Sequence, residues 1–164
     1  MSTDWNGIIR QHGSTVFGAA WRILGHASDA EDVVQEVFLE AQQLANSQSV
    51  DHWAALLRRM ATYRALDRLR RRKRALSLDG LPMPGKEHGP EAVAVGRELE
   101  ARLRTAITQL PNREAAVFSL RFFEDLSYEQ IAESLGVSTS AVAPALHKAR
   151  AKLKALLVDP GGEE

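Results

Sequence analysis

Apolar residues recur three and four positions apart along almost the whole chain, and this spacing limits the fold more than any other feature. No stretch keeps the alternation of apolar and polar residues that a strand would show. The periodicity lapses between residues 75 and 94, where three prolines and three glycines cannot sustain a regular element. We therefore predict an all-α protein with two small helical domains, residues 4–74 and 96–157, joined by a flexible linker over residues 75–95.

Three helices are predicted in the first domain. The first runs from about Asp4 to Leu24, and Gly25 follows as a natural C-terminal residue. The second begins at Ser28-Asp-Ala-Glu31, which has the form of a capping box, and ends in a polar loop, Asn46–Ser49. The third runs from about Asp51 to Arg74.

Positive and negative side chains are separated along the chain, although the 21 of each sign cancel. Residues 27–57 hold six carboxylates and no lysine or arginine. Residues 58–74 hold nine basic side chains, and Asp67 is the one acidic residue among them. This polarisation predicts partners of two different kinds, and the basic segment favours nucleic acid for one of them.

A short helix, a glycine turn and a second helix follow one another from Leu126 to Leu157. Ser127 can cap the first helix, Gly136 can take a positive φ in the turn, and Ser138 can cap the second helix. The residues of the second helix predicted to pack inward are Val142, Leu146, Ala149 and Leu153. This unit is typical of a helix-turn-helix, whose second helix enters the major groove of DNA by its N-terminal end. The alternative is a helical hairpin whose lysines only keep it soluble.

An enzyme is the less favoured class. A metal-dependent hydrolase could use the carboxylates of the second helix, namely Asp29, Glu31, Asp32 and Glu36. No metalloprotease histidine pair, phosphate loop or nucleophile elbow accompanies them. We expect no catalytic residue, no metal and no cofactor. Without cysteines, a signal peptide or a run of about 18 apolar residues, we expect a cytoplasmic protein with no membrane insertion.

Five segments carry a family resemblance that covers nearly the whole chain outside the linker. They are Trp21-Arg-Ile-Leu-Gly25, Asp29-Ala-Glu-Asp-Val-Val-Gln-Glu-Val-Phe38, Ala65-Leu-Asp-Arg-Leu-Arg-Arg-Arg72, Leu110-Pro-Asn-Arg-Glu114 and Leu126-Ser-Tyr-Glu-Gln-Ile-Ala132. Together they resemble the extracytoplasmic-function (ECF) group of sigma-70-family factors. The resemblance implies a sigma-2 domain, a linker and a sigma-4 helix-turn-helix domain, working as a dissociable subunit of bacterial RNA polymerase.

The acidic second helix resembles the family's surface for the clamp helices of the largest polymerase subunit. The resemblance implies a contacting face of Asp32, Gln35, Glu36 and Leu39. Carboxylates around an exposed leucine suit a basic, partly apolar helical partner. For an arbitrary acidic helix, the alternative is a face that only meets solvent.

In the family, the third helix lies against the minus-10 promoter element, where the duplex opens and one base is flipped out. The resemblance implies backbone contacts from Arg58, Arg64, Arg68, Arg71 and Arg72, and base reading by Asn46, Ser47 and Gln48. Tyr63 stands where the family often has asparagine, and its ring could replace the stacking that a flipped base loses. A solvated tail and generic RNA binding are the alternatives for this basic helix.

The predicted recognition helix departs from the family pattern. Where members commonly show Val-Lys-Ser-Arg-Leu-His-Arg-Ala-Arg, this chain has Val142-Ala-Pro-Ala-Leu-His-Lys-Ala-Arg150. Ala143 and Ala145 thus replace two basic residues, and a proline inside a helix can cost about 3 kcal/mol. The remaining candidates for contact with a minus-35 element are Ser138, Thr139, Ser140, His147, Lys148 and Arg150.

The implied partners are core RNA polymerase and promoter DNA. Whether an anti-sigma protein holds the two domains together is left open by the sequence, although the linker would allow it. The rival binding function is a helix-turn-helix regulator that never touches polymerase. Such a regulator has no need of the acidic motif from Asp29 to Phe38.

Overall fold

The computed structural model describes residues 3–79 and 91–158, and these ranges hold seven α-helices and no strand. The predicted all-α class is confirmed. The N-terminal half, residues 3–79, contains α1 (Trp5–Leu24), α2 (Ala27–Ser47) and α3 (Trp53–Asp79). The C-terminal half, residues 91–158, contains α4 (Glu91–Ile107), α5 (Asn112–Phe122), α6 (Tyr128–Leu135) and α7 (Thr139–Val158).

The N-terminal half is a bundle in which α1 packs against both α2 and α3. Its core is made of the apolar residues that the helical spacing brings to one side, such as Val16, Val33 and Leu66, all at most 1% exposed. The first predicted helix is confirmed. Asp4 caps α1 by accepting from the Gly7 amide over 3.1 Å, and Gly25 ends it at φ +67°.

Three predicted boundaries in this half are wrong. The capping box does not form, because α2 already begins at Ala27 with His26 as an N-cap that makes no side-chain hydrogen bond, and Ser28 falls within the first turn. The polar residues Asn46 and Ser47 continue α2 instead of forming a loop, and the Ser47 hydroxyl donates to the Leu44 carbonyl over 3.0 Å. The third helix runs to Asp79 instead of Arg74.

Part of the predicted linker is helical. Residues 75–79 belong to α3 and residues 91–95 belong to α4, whereas residues 80–90 lie outside the described part of the chain. The domain boundaries at residues 4–74 and 96–157 stay a prediction, because helix ends alone do not divide a chain into domains.

The helix-turn-helix forms at the predicted residues. The Ser127 hydroxyl accepts from the Gln130 amide over 3.1 Å, and the Gln130 side chain accepts from the Ser127 amide over 2.8 Å. Gly136 closes α6 at φ +70°, a conformation that favours glycine. The predicted inward face of α7 is confirmed, since Val142, Leu146, Ala149 and Leu153 are all buried.

Pro144 lies inside α7, which is one helix from Thr139 to Val158. A proline has no amide hydrogen, so the Ser140 carbonyl four residues earlier lacks its usual intrahelical donor. The backbone hydrogen bonds of α7 are therefore interrupted where its second turn begins.

The two halves pack against each other. Helix α3 contacts α5 and α6 of the C-terminal half. Most of the basic segment of residues 58–74 is thus neither a free tail nor fully exposed, and one side of it is held by helices that follow the linker.

Candidate polymerase and DNA interfaces

Acidic residues of α2 and arginines of α3 form a line of ion pairs, which we call the α2–α3 ladder. Both helices present their charges at intervals of three or four residues, so the charges meet rung by rung. The ladder consists of Arg64 with Glu36 and Glu40 at 3.3 and 2.9 Å, Arg68 with Asp29, Asp32 and Glu36 at 3.6, 3.5 and 2.9 Å, and Arg72 with Asp29 at 3.0 Å.

The ladder ties predicted DNA contacts to predicted polymerase contacts. Hydrogen bonds to Glu40 and Glu36 raise the pKa of Arg64 further above its ordinary value. Arg72 also donates to the Leu24 carbonyl over 3.0 Å and so helps to cap α1. A single exposed ion pair adds little stability. In the ladder, several side chains take part in more than one pair, so the entropy lost on ordering each of them is shared among those pairs. Arg64, Arg68 and Arg72 therefore have a structural role in holding α3 to α2.

The predicted polymerase face lies along the outer side of α2. Asp32, Gln35 and Leu39 are exposed, and Glu36 is half-buried under Arg64 and Arg68. The Leu39 side chain stands out because 62% of it is exposed although it is large and apolar. Exposed leucine between carboxylates is the arrangement expected of a docking surface, and the role of these residues stays a prediction.

The predicted backbone contacts of α3 separate into two groups. Arg71 points outward, with 57% of its side chain exposed, and pairs over 3.0 Å with Asp67 one turn earlier. Arg58 is half-buried, and its Nε is enclosed without a hydrogen-bond partner among the described residues. Arg71 is thus the most accessible of the five predicted arginines.

Tyr63 lines an open cleft of about 450 Å³ between the end of α2 and the middle of α3. Burial raises the pKa of the Tyr63 hydroxyl, while the nearby guanidinium groups of Arg113 and Arg59 act to lower it. Leu44, Leu56 and Met60 supply apolar walls of the cleft, and Glu40, Arg59, Arg64 and Asp67 supply its charges. A half-buried ring facing a cleft of this size could stack on a flat ligand.

The predicted base-reading residues lie at the C-terminal end of α2. Asn46, Ser47 and Gln48 are all exposed, and Gln48 is the extended residue that ends the helix. Leu44, whose carbonyl accepts from Ser47, also lines the Tyr63 cleft. The structure therefore places these three residues within about one helical turn of Leu44, a residue of the cleft wall.

The predicted contacts of the recognition helix are all accessible. Ser138, Thr139 and Ser140 are exposed at the start of α7, and the hydroxyls of Ser138 and Ser140 lie 3.2 Å apart. His147, Lys148 and Arg150 are exposed along the helix. Lys152 is instead held by Glu114 of α5 at 2.9 Å.

Sequence reasoning missed an apolar cleft of about 400 Å³ in the C-terminal half. Leu99 and Phe122 are more than half exposed there, and Phe122 stacks on Phe118 with ring centres 5.2 Å apart. Arg102, Arg150 and Lys154 stand among its lining residues. The available signal was the run of Phe122 and Phe123 at the end of α5, because successive side chains point in different directions there and one large ring, Phe122, is left exposed.

Within residues 3–79 and 91–158, no group of histidines and carboxylates could hold a metal ion. Over the same ranges, no helix is long and apolar enough to span a membrane.

Both halves of the chain match known protein families. Residues 8–75 match Sigma-70 region 2, and residues 100–153 match Sigma-70, region 4. The chain belongs to the sigma-70 family. The first match covers the α2–α3 ladder and the Tyr63 cleft, and the second covers the helix-turn-helix up to Leu153.

Curated relatives identify the branch of the sigma-70 family. The ECF RNA polymerase sigma factor SigE of Mycolicibacterium smegmatis is 32% identical over 98% of this chain, which spans 64% of that protein's length. The ECF RNA polymerase sigma factor SigW of Bacillus subtilis is 28% identical over 93% of this chain and 88% of its own length. The chain is therefore an RNA polymerase sigma factor of the ECF type, as its motifs indicate.

Solved structures share the fold. The sigma factor RpoE of Bartonella quintana, solved with the anti-sigma factor NepR, has a TM-score of 0.56 at 19% identity, over 96% of this chain and 98% of its own. CnrH, solved with the cytosolic domain of CnrY, has a TM-score of 0.58 at 23% identity, over 94% of this chain and 87% of its own. At these identities, the likeness supports the helical sigma-factor fold.

Proposed function

We propose that this sigma factor binds core RNA polymerase through the outer side of α2 and directs initiation at promoters through α3 and α7. The observation that carries the proposal is the presence of regions 2 and 4 in one chain and in this order. A regulator with a helix-turn-helix alone would need only the second of them.

The polymerase contact is centred on Leu39. Its exposed side chain supplies apolar area, and the carboxylate of Asp32 with the amide of Gln35 surrounds it on the same face. Glu36 contributes charge at the edge while its oxygens are shared with the ladder. A basic helix with an apolar stripe has the complementary chemistry.

The minus-10 contact combines a phosphate surface and a base pocket. Arg71 meets the backbone, and Arg58, Arg64, Arg68 and Arg72 are the further candidates for backbone contacts. Of these, Arg64, Arg68 and Arg72 would have to exchange ladder carboxylates for phosphates. A flipped base enters the Tyr63 cleft and stacks on the ring, while Asn46, Ser47 and Gln48 read its edge. The cleft volume and the nearby amide groups support this assignment.

The minus-35 contact uses the exposed start of α7. Ser138, Thr139 and Ser140 face outward there, and His147, Lys148 and Arg150 continue the exposed surface along the helix. Since Ala143 and Ala145 carry no hydrogen-bonding groups in their side chains, most of this contact is made to phosphates, with little direct reading of bases.

The chain acts as a non-catalytic subunit, and the polymerase supplies the chemistry. It works in the cytoplasm, where the polymerase and the chromosome lie. An anti-sigma protein is a further partner in this proposal, because RpoE, which shares the fold, was solved with the anti-sigma factor NepR. The regions 4–74 and 96–157 serve as the polymerase-binding and minus-35 domains of this proposal.

Gel filtration of the full chain with purified core polymerase from the same bacterium tests the proposal against the regulator alternative. We expect the chain to co-elute with core polymerase in the absence of DNA. A chain that binds promoter fragments but never co-elutes would be a helix-turn-helix regulator instead.

A further inference from the structure

Two arginines, one from each half, reach across to the other half and cap a helix end there. Arg70 of α3 donates to the carbonyls of Thr108 and Leu110, just after the end of α4, over 3.3 and 2.8 Å, and also to the side chain of Asn112. Arg104 of α4 donates to the carbonyls of Ile23 and Arg22, in the last turn of α1, over 2.9 and 3.2 Å. Each half thus provides the cation that the other half's helix end requires.

These contacts are built into the fold. The last carbonyls of a helix lack internal donors and carry partial negative charge, which suits a guanidinium. A Cβ at Gly25 would lie 2.7 Å from Arg104 Cζ, so the absence of a side chain lets the guanidinium approach. The Arg104 side chain is only 20% exposed, and this burial lowers its pKa, a cost that the carbonyl acceptors offset. An ion pair of 2.9 Å between Arg22 and Glu124, whose side chain is 10% exposed, lies beside this cap.

The same closure brings the helix-turn-helix against α3. A Cβ at Gly136, in the turn, would lie 2.9 Å from Nη1 of Arg59. Glu133 of α6 lies 3.8 Å from His52, just before α3. The turn of the minus-35 reader therefore rests one helical turn from Tyr63, the proposed minus-10 residue.

This placement is incompatible with reading both promoter elements. Elements centred about 25 base pairs apart are separated by roughly 85 Å along B-form DNA, at about 3.4 Å per base pair. The stretch of α3 from Arg59 to Arg72 is only about 20 Å long, at about 1.5 Å per residue. The two readers lie next to each other within that stretch.

We propose that Arg70 and Arg104 form a latch that holds the free protein in this closed, promoter-incompetent form until core polymerase or DNA separates the halves. The functional meaning of the latch rests on the proposed function, whereas the closure itself does not. Because a hydrogen bond to a charged group is among the stronger kinds, loss of each arginine should raise the ratio of open to closed molecules roughly tenfold or more.

Energy transfer between two dyes on the full chain measures the closure directly. The chain has no cysteine, so Ser14→Cys and Ala155→Cys place one label on the exposed side of α1 and one on α7. The test variant is Arg70→Ala with Arg104→Ala. The matched control is Arg121→Ala, because Arg121 also donates to a carbonyl, that of Leu126 over 3.0 Å, but within one half.

We expect high transfer in the parent and in the control, and at least a twofold lower efficiency in the double variant. Low transfer in the parent, or unchanged transfer in the double variant, would overturn the latch. If circular dichroism shows that the double variant has lost its helices, Arg22→Glu takes its place. We expect Arg22→Glu to lower the transfer efficiency and the addition of Glu124→Arg to restore it. A transfer efficiency that is not restored counts against the latch.

Binding to core polymerase tests whether the latch is autoinhibitory. The α2 face stays exposed in the closed form, but a core complex that reads both promoter elements must hold the halves apart. The closed form therefore lowers the apparent affinity for core polymerase by the fraction of molecules that are open, and the double variant should bind at least fivefold more tightly. Equal binding by an opened double variant would contradict the autoinhibitory role. If neither protein binds core polymerase, the proposed function fails while the transfer result still decides the closure.

Discussion

Arg68 of α3 donates to Glu36 of α2 over 2.9 Å, so a residue predicted to contact DNA and a residue predicted to contact polymerase are bound to each other. Arg64 reaches the other oxygen of the same carboxylate at 3.3 Å. A change at Glu36 therefore removes a ladder partner as well as a surface charge. Variants that separate the two interfaces must avoid the ladder.

Leu39→Ala avoids it, because Leu39 carries no charge and 62% of its side chain is exposed. We expect the affinity for core polymerase to fall by about 1 to 3 kcal/mol, which is the range for truncating an apolar anchor. Helicity and the free energy of unfolding should be unchanged. A competition assay against a labelled parent protein measures the affinity.

The control for Leu39 is Ile9→Ala on α1, where 44% of the side chain is exposed. Its affinity for core polymerase should match that of the parent. Equal affinity of the Leu39 variant and the parent would remove Leu39 from the polymerase face.

Arg71→Ala and Arg68→Ala should have different effects. The exposed Arg71 contacts a phosphate in our account, so its loss should reduce the slope of log K against log salt by about 0.9 without changing stability. Loss of Arg68, with 25% of its side chain exposed, removes three ladder pairs and should lower the free energy of unfolding by about 1 kcal/mol or more.

Binding to promoter fragments across a salt series, together with urea unfolding, measures both quantities. An unchanged salt slope in the Arg71 variant would remove that phosphate contact. An Arg68 variant as stable as the parent would show that the ladder adds nothing to the bundle.

Tyr63→Ala should impair promoter opening, because a stacked base is worth about 1 to 3 kcal/mol. Tyr63→Phe should keep opening within about twofold, since the ring is retained. Permanganate reactivity of unpaired thymines in the complex with core polymerase measures the open fraction. Equal opening by the alanine variant and the parent would exclude stacking in the cleft.

Pro144→Ala should stabilise the C-terminal half by about 1 to 2 kcal/mol, because alanine gives the Ser140 carbonyl an amide donor and favours the helix. Part of the gain is offset by the greater freedom of the unfolded chain. Urea unfolding measures it. As a control, Ala143→Gly at the neighbouring exposed position should lower the free energy of unfolding by about 1 kcal/mol. A Pro144→Ala variant that is less stable than the parent would contradict the interrupted hydrogen bonding of α7.

The sequence was sufficient for the elements whose signals are local. Ser127, Gly136 and the buried side of α7 depend on residues within a few positions of one another, and all three predictions are confirmed. The predicted start of α2 was wrong. Ser28 has the residue type of an N-cap, but α2 already begins at Ala27, shortly after α1 ends at Leu24.

The roles of adjacent arginines could not be read from the sequence. Arg70, Arg71 and Arg72 look equivalent in a basic run, yet successive residues of a helix point about 100° apart. One crosses to the C-terminal half, one faces solvent and one caps α1. Which of them is available to DNA depends on where α2 and α5 pack, and spacing alone does not give that.

Run-off transcription from a pool of genomic fragments, with core polymerase purified from the same bacterium, tests the central claim most directly. We predict that core polymerase starts transcripts at discrete sites only when this chain is added, and that Leu39→Ala lowers their yield. Core polymerase that binds the chain and still starts no specific transcript, across the whole pool, would contradict the claim that this protein directs initiation.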